Sequence, residues 1–211
     1  MQTAFILQAI AAIEYALTVH ELEIAELDRA IGDGDHYINI KRGALAIVAM
    51  QAELADISAD AALQKIGMKV MSSVGGASGV LIGSFFLAFG KTLQENGGES
   101  LPEFAAGFAA GVESIRQRGK SDLGEKTMLD VLIPVARQFS SMAIAQKTSI
   151  EIATALKLTA TTGMLATKDL LATKGRAAFL GVRSKNHIDA GAKSSEVMIH
   201  AVSDLVLQDK L

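Results

Sequence analysis

Apolar residues recur every three or four positions from the start of the chain. The first such series comprises Ile6, Ile10, Ile13, Leu17, Ile24 and Leu27. His20 stands where the series is interrupted. Because this spacing lines one face of a helix with 3.6 residues per turn, it predicts a long first helix that runs to about Glu26.

The rest of the pattern predicts seven more helices, over residues 39–55, 59–71, 80–94, 101–116, 127–145, 149–173 and 195–208. Two of these helices begin at a capping box, in which a Ser or Thr and a Glu three residues later satisfy free backbone groups. The boxes are Ser100 with Glu103 and Thr148 with Glu151. Glycine-rich stretches, such as residues 72–79, separate neighbouring helices.

Eight amphipathic helices joined by short links predict an all-α fold, an up-and-down bundle or closed barrel that forms a single domain over residues 1–211. If successive helices alternate in direction, the links after the first, third, fifth and seventh helices meet at one end. The topology therefore predicts one site at that end, built from these four links.

Composition narrows the function classes. The 211 residues include no cysteine, which excludes a disulfide scaffold and a cysteine-bound metal. A net charge of −3 and 5% aromatic residues without Trp make nucleic acid an unexpected partner. The first residues lack a basic signal segment, and the longest apolar run, 80–90, is short for a bilayer span. We therefore expect a cytoplasmic protein with no membrane partner.

The link after the first helix carries three carboxylates, Asp28, Asp33 and Asp35, separated by glycines. An all-oxygen ligand set in a tight turn is typical of a hard cation such as Mg2+. An EF-hand is excluded, because Ile38 and Ala44 occupy the positions of its glycine and its bidentate Glu. The alternative is that these aspartates only cap the following helix.

The link after the third helix, residues 72–79 (SSVGGASG), leads directly into an apolar helix. Free backbone N–H groups at a helix N-terminus suit a phosphate. A Walker A loop is excluded, since Phe85 stands where its first glycine belongs ahead of Gly90-Lys91-Thr92. The alternative is close helix packing through small residues.

The remaining two links add cations and a small apolar surface. Residues 174–194 have no helical period, and Arg176 within them could pair with a phosphate, although a surface role is the alternative. The link after the fifth helix contains Gly119 and Lys120 and ends at Met128, which could cover an adenine or belong to the core. An acidic, a glycine-rich and a basic link at one end of a bundle together predict a Mg-nucleotide site.

Four motifs, GDGDHYINIKRG (32–43), SSVGGASG (72–79), RGKSDLGEKTMLDVLIPV (118–135) and KGRAAFLGVRS (174–184), closely resemble the ADP-binding L subunits of bacterial dihydroxyacetone kinases. The resemblance runs nearly end to end. It implies an all-α barrel of eight helices with the nucleotide at one end.

The resemblance also implies a role for each site residue. Two Mg2+ ions would be held by Asp28, Asp33 and Asp35. The nucleotide, ADP or ATP, would be bound by His36, Asn39, Ala77, Ser78, Gly119, Met128, Arg176, Asp189, Ala190 and Gly191. We expect Arg176 and His36 to be the catalytic residues, with Arg176 stabilising the transferred phosphoryl charge.

In this family the nucleotide is retained as a cofactor. A phosphohistidine protein of the phosphotransferase system, the M subunit, phosphorylates ADP, and the phosphoryl group then passes to dihydroxyacetone on a K subunit. We expect the same of this chain. Tyr37, Val80 and Ala190 depart from the family pattern. Two alternatives are therefore a regulatory paralogue in which Tyr37 blocks partner docking, and a kinase subunit for a different small carbonyl or sugar substrate.

Overall fold

A computed structural model describes residues 3–98 and 100–208 of the chain. Over these residues the chain forms ten α-helices, two short 3-10 segments and no strand. The helices are α1 Thr3–Val19, α2 Glu21–Ile31, α3 His36–Val48, α4 Gln51–Leu54, α5 Ala59–Ser73, α6 Gly76–Asn96, α7 Leu101–Gly119, α8 Leu129–Ile144, α9 Ser149–Ala166 and α10 Ala190–Gln208. The 3-10 segments are Thr167–Asp169 and Arg176–Ser184.

Eight of the helices close into a ring. Going round it, α1 packs on α3, α3 packs on α5, and each of α5 to α9 packs on the next helix, while α10 returns to α1. Buried apolar clusters lie between successive members of this ring. The expected all-α closed barrel of eight long helices is thus confirmed, and the short α4 is an appendage to α1.

The predicted long first helix is wrong in one respect, because it breaks at His20. His20 has φ −96° and ψ 15°, outside the helical region, and α2 leaves α1 at an angle of 66°. The bend lets α2 pack on α3 and α10 and bury Ile24 completely. Since α2 continues to Ile31, Asp28 is a helical residue in its last turn rather than a loop residue.

Other boundaries also differ from the sequence prediction. The second predicted helix divides into α3, which begins at His36, and the short α4. The glycine-rich link is shorter than expected, because α6 already begins at Gly76. The seventh helix ends at Ala166, and the segment without helical period contains the second 3-10 segment.

Helix α6 is, by length and composition, the one described helix that could cross a membrane unaided. It packs between α5 and α7. Its phenylalanines, Phe85 and Phe89, make edge-on contacts with Phe104 and Phe108 of α7. Packing within the barrel therefore accounts for part of the apolar composition of α6, since 33% of its most apolar window is buried. The cytoplasmic location expected from the sequence stays a prediction.

Candidate nucleotide-binding site

A cavity of about 850 Å³ opens at one end of the barrel. Residues from 28–39, 75–81, 115–129 and 174–191 line it, so all four links expected to meet do so. Its volume lies in the range usual for small-molecule sites. The lining includes every residue singled out in the sequence: Asp28, Asp33, Asp35, His36, Asn39, Ala77, Ser78, Gly119, Met128, Arg176, Asp189, Ala190 and Gly191. Their individual roles stay predictions.

The three aspartates form a compact cluster, with one carboxylate oxygen of each within 4.8 Å of the others. Asp28 is buried, and its Oδ2 accepts a hydrogen bond of 3.0 Å from the backbone N–H of His36. A Cβ at Gly32 would lie 1.9 Å from Asp28 Oδ1, so only glycine lets the turn pass this carboxylate. Gly34 has φ 81°, in the left-handed region that favours glycine.

This geometry fits a hard divalent cation. Asp35 stands at the N-cap of α3 but makes no side-chain capping bond, so the interpretation of this aspartate as a helix cap is wrong. Asp28 does accept an N–H from the first turn of α3 through one oxygen, Oδ2. Carboxylate oxygens are the ligands that Mg2+ prefers, and three of them at this separation repel one another unless a cation lies between them.

The glycine-rich link packs closely, and its geometry is also compatible with the predicted phosphate binding. A Cβ at Gly79 would lie 2.1 Å from the carbonyl oxygen of Val74, so this glycine is required for packing. Gly75 and Gly76, by contrast, have nothing within 4 Å of a Cβ, and both line the cavity. Because the first four N–H groups of a helix lack partners within the helix, the start of α6 presents donors suited to phosphate beside Ala77 and Ser78.

The basic segment reaches the acidic cluster directly. Nε of Arg176 lies 2.7 Å from Oδ2 of Asp33. Gly175 precedes it with φ 63° and ψ −164°, a conformation that admits few residues other than glycine. The guanidinium is 70% exposed and lies at the cavity wall. A cation and an anion separated by 143 residues in the chain therefore form an ion pair in the site.

His36 is the first residue of α3 and is held at both ends. Its backbone N–H binds Asp28, and its ring Nε2 lies 2.9 Å from Oγ of Ser194 on α10. Burial lowers the pKa of His36, partly offset by the nearby carboxylates of Asp28 and Asp35. The ring is therefore neutral near pH 7 and acts as a polar, uncharged wall of the cavity.

Tyr37, which could block partner docking in the regulatory alternative, does not line the cavity. Its ring is buried among Leu17, Ile24 and Ile40, and its hydroxyl donates to Glu21 Oε2 at 3.1 Å. Burial and the Glu21 carboxylate raise the pKa of Tyr37 to about 12. Because the ring faces the barrel core, the structure gives no support to the alternative in which Tyr37 blocks docking of a partner.

Lys126 is a residue near the candidate site that the sequence analysis did not select. It lines the cavity yet is only 1% exposed, and its Nζ donates to the backbone carbonyls of Thr167 and His187. Burial lowers its pKa, and the carboxylate of Asp189 opposes this shift. Lys126 thus joins the start of α8 to both ends of the segment that carries Arg176. A Lys next to Thr127 and Met128 gave no sequence signal of burial.

We predict that Lys126→Met lowers the free energy of unfolding by about 2–3 kcal/mol, because two buried carbonyls lose their donor. Urea unfolding followed by circular dichroism measures this loss. Lys120→Met is the matched control, since Lys120 also has a positive φ but is exposed. Equal effects of the two substitutions would contradict the bridging role of Lys126.

Asp189 immediately precedes α10 and lines the cavity. Its Oδ2 accepts the N–H of Ala192 at 2.8 Å, which caps the helix, and its own N–H donates to Thr167 Oγ1 at 3.1 Å. A Cβ at Gly191 would lie 3.5 Å from the backbone N of Met128, so the α10 turn packs on the start of α8. Burial raises the pKa of the Asp189 carboxyl to about 6.

This pKa predicts a pH-dependent stability difference between the wild type and Asp189→Asn. A carboxyl whose pKa is 3.8 when unfolded and about 6 when folded binds its proton more tightly in the folded state. The ionised group therefore opposes folding above pH 6, and this cost disappears as the pH falls towards 4. Asn keeps the capping oxygen but does not titrate. In urea unfolding, the free energy of unfolding of Asp189→Asn minus that of the wild type should decrease as the pH is lowered from about 7.5 to about 4.5. A difference that does not depend on pH would refute the raised pKa.

Comparison with known proteins identifies the fold and the family. The model of the DAK2 domain matches residues 30–204, which include all of the cavity lining except Asp28. The chain belongs to the DAK2 domain family. The DAK2 match thus confirms the family expected from the four motifs.

Two relatives within the DAK2 family are ADP-binding DhaL subunits of PEP-dependent dihydroxyacetone kinases. The chain is 37% identical over 180 residues to that of Escherichia coli (strain K12), covering 84% of each chain. It is 40% identical over 181 residues to that of kinase 1 from Listeria innocua, covering 85% of this chain and 84% of the relative.

A solved structure shares the fold. The DAK2 domain described here superposes on the dihydroxyacetone kinase from C. freundii, determined in complex with AMP-PNP and Mg2+, with a TM-score of 0.74. The match covers 96% of this chain but 34% of that kinase, at 22% identity. This likeness confirms the all-helical architecture.

Proposed function

We propose that this chain is the ADP-binding subunit of a PEP-dependent dihydroxyacetone kinase. It holds Mg-ADP as a retained cofactor, accepts a phosphoryl group from a phosphohistidine protein, the M subunit of the phosphotransferase system, and passes the group to dihydroxyacetone bound on a K subunit. The observation that carries this proposal is the meeting of three carboxylates, a helix N-terminus and Arg176 in one cavity. Its similarity to ADP-binding DhaL subunits of PEP-dependent dihydroxyacetone kinases supports it.

The residues divide the work by charge. Asp28, Asp33 and Asp35 are the proposed Mg2+ ligands, since the donor set is all oxygen and compact. The number of ions proposed, two, is what the family resemblance implies. When bound, Mg2+ would offset the charge of the carboxylates and phosphates, and the nucleotide would carry the phosphoryl group.

The remaining contacts orient the nucleotide. The N–H groups at the start of α6, beside Ala77 and Ser78, bind phosphate oxygens. Arg176 also lines the cavity, and its planar guanidinium can bind two oxygens of the phosphoryl group at once. Gly119 and Met128 are the proposed contacts of the adenine, and Asp189 to Gly191 line the same cavity.

Native mass spectrometry of the purified protein tests retention of the cofactor. We expect the mass of the chain plus one ADP and two Mg2+ ions, without added nucleotide. Recovery of empty protein that binds ATP reversibly would contradict the retained-cofactor part of the proposal.

Reconstitution tests the reaction itself. The chain is combined with K and M subunits, a phosphohistidine donor chain fed by PEP, and dihydroxyacetone. We expect dihydroxyacetone phosphate to form only when this chain is present, measured by a coupled reductase assay. Absence of product in the complete mixture, with a known L subunit active in parallel, would contradict the kinase function.

A further inference from the structure

The second 3-10 segment, Arg176–Ser184, consists of two short turns on either side of a kink at Gly181, whose φ is 55° and ψ −129°. Each turn carries one large apolar side chain in solvent. Phe179 is 84% exposed and Val182 is 76% exposed, the two highest values among the large apolar residues of the described chain. Phe179 also lines the mouth of the cavity. Phenylalanines of α6, α7 and α8 instead pack on one another inside the barrel.

This apolar pair stands on an anchored segment. Ala177 is buried against Ile31 and Ala172. Ser184 is fully buried, where its Oγ donates to the carbonyl of Gly181 at 2.7 Å and accepts the N–H of Ala172 at 3.1 Å. The segment is therefore held in place from both sides of the exposed pair, and ordering Phe179 and Val182 for binding costs little additional entropy.

The surroundings of the pair are basic. Lys174, Arg176, Arg183 and Lys185 fall within 12 residues, and no Asp or Glu occurs between positions 169 and 189. Arg176 and Lys174 are paired with Asp33 and Glu125. Arg183 and Lys185 form no salt bridge with any other part of the chain that the structure describes. An apolar pair with unpaired cations suits a protein surface that offers an apolar recess with carboxylates at its rim.

The position of Phe179 at the cavity indicates which partner protein would bind this surface. Transfer of a phosphoryl group to a sugar hydroxyl competes with transfer to water, because both acceptors are O–H groups. The mouth of the cavity must therefore be covered in that step. A partner that buries Phe179 covers the mouth, since the ring is part of its rim.

We propose that Phe179, Val182, Arg183 and Lys185 form the docking surface for the subunit that carries the phosphoryl acceptor, which presents an apolar recess rimmed by carboxylates. This inference rests on the proposed function and names the contact through which it operates. Because Val182 lies outside the cavity lining, its substitution separates docking from nucleotide binding.

Val182→Asp is the test variant, and Leu158→Asp is its matched control. Leu158 on α9 is 70% exposed and does not line the cavity, so it undergoes the same chemical change at similar exposure. Binding of the Mg-ADP-loaded chain to a dihydroxyacetone-loaded K subunit is measured by biolayer interferometry. We expect at least about ten-fold weaker binding for Val182→Asp and no change for Leu158→Asp. Phe179→Ser should also raise the ratio of ATP hydrolysed to dihydroxyacetone phosphate formed.

The outcomes separate the two proposals. If the wild type binds the K subunit and Val182→Asp binds equally well, the docking inference is overturned and the proposed function stands. If the wild type yields no product with the K and M subunits, the proposed function fails, and the docking inference fails with it. A Val182→Asp variant that accepts phosphoryl groups from the M subunit normally but does not bind the K subunit supports the assignment to the acceptor; equal loss of both reactions overturns that assignment.

Discussion

Replacing Asp33 and Asp35 together by Asn is expected to abolish retention of Mg-ADP and to stabilise the metal-free fold. Three carboxylates with oxygens within 4.8 Å of one another repel each other without a cation. Removing two of these charges deletes ligands for Mg2+ and relieves the repulsion. We expect Mg2+ affinity, measured calorimetrically with ADP, to fall at least about 100-fold, since changes outside the ligand set already cost up to that factor.

The opposite sign of the stability change makes this prediction specific. Without Mg2+ and nucleotide, the double variant should gain about 1 kcal/mol in free energy of unfolding, because the exposed Arg176–Asp33 pair that it also loses is worth little. The control is Asp56→Asn with Asp60→Asn, the same chemical change outside the cavity lining. A double variant that still purifies with ADP would refute the ligand assignment. One that loses both ADP and stability would indicate that the aspartates maintain the fold instead.

Arg176→Ala is expected to change metal binding and phosphoryl transfer in opposite directions. In the structure, Nε of Arg176 lies 2.7 Å from Asp33, a proposed Mg2+ ligand. Without nucleotide, Mg2+ must therefore compete with the guanidinium for this carboxylate. Removal of the guanidinium should tighten Mg2+ binding about three-fold, which corresponds to the energy of an exposed ion pair. The rate of transfer to dihydroxyacetone should fall by about 100-fold or more, because charge on the moving phosphoryl group loses its partner.

Lys174→Ala is the control for this pair of effects. It removes the same charge from the same segment, but Lys174 lies 3.7 Å from Glu125 and contacts none of the three aspartates. Calorimetric titration with Mg2+ and single-turnover transfer assays distinguish the two variants. If Lys174→Ala tightens Mg2+ binding as much as Arg176→Ala, the effect arises from the general potential of the cavity. If Arg176→Ala transfers at the wild-type rate, its catalytic role is wrong.

Both predictions depend on closure of the barrel. Asp33 and Arg176 lie near opposite ends of the chain, and the ring of helices brings α10 back to α1 and α2. The 3-10 segment that begins at Arg176 packs on α2, where Ala177 contacts Ile31. A metal loop on α2 and α3 can thus share one site with a basic segment that precedes α10.

Short-range features of this protein were readable along the chain. Both capping boxes form as expected, with Ser100 and Thr148 each accepting the N–H of the Glu three residues on. The apolar spacing placed the long helices, and their alternation placed the four links at one end, where the cavity lies. These features depend on neighbours within one helical turn and on chain direction, which the order of residues contains.

The tertiary structure alone decided how particular side chains are used. The spacing of apolar residues continues across His20, so only packing of α2 on α3 and α10 reveals the bend. Lys126 is buried because it donates to two carbonyls that lie 41 and 61 residues away in the sequence. Tyr37 faces the core because Glu21 and residues of α10 surround it there. Phe179 is exposed although its residue type favours the interior. Each of these outcomes depends on contacts between residues far apart in the chain, and such contacts exist only once the barrel has closed.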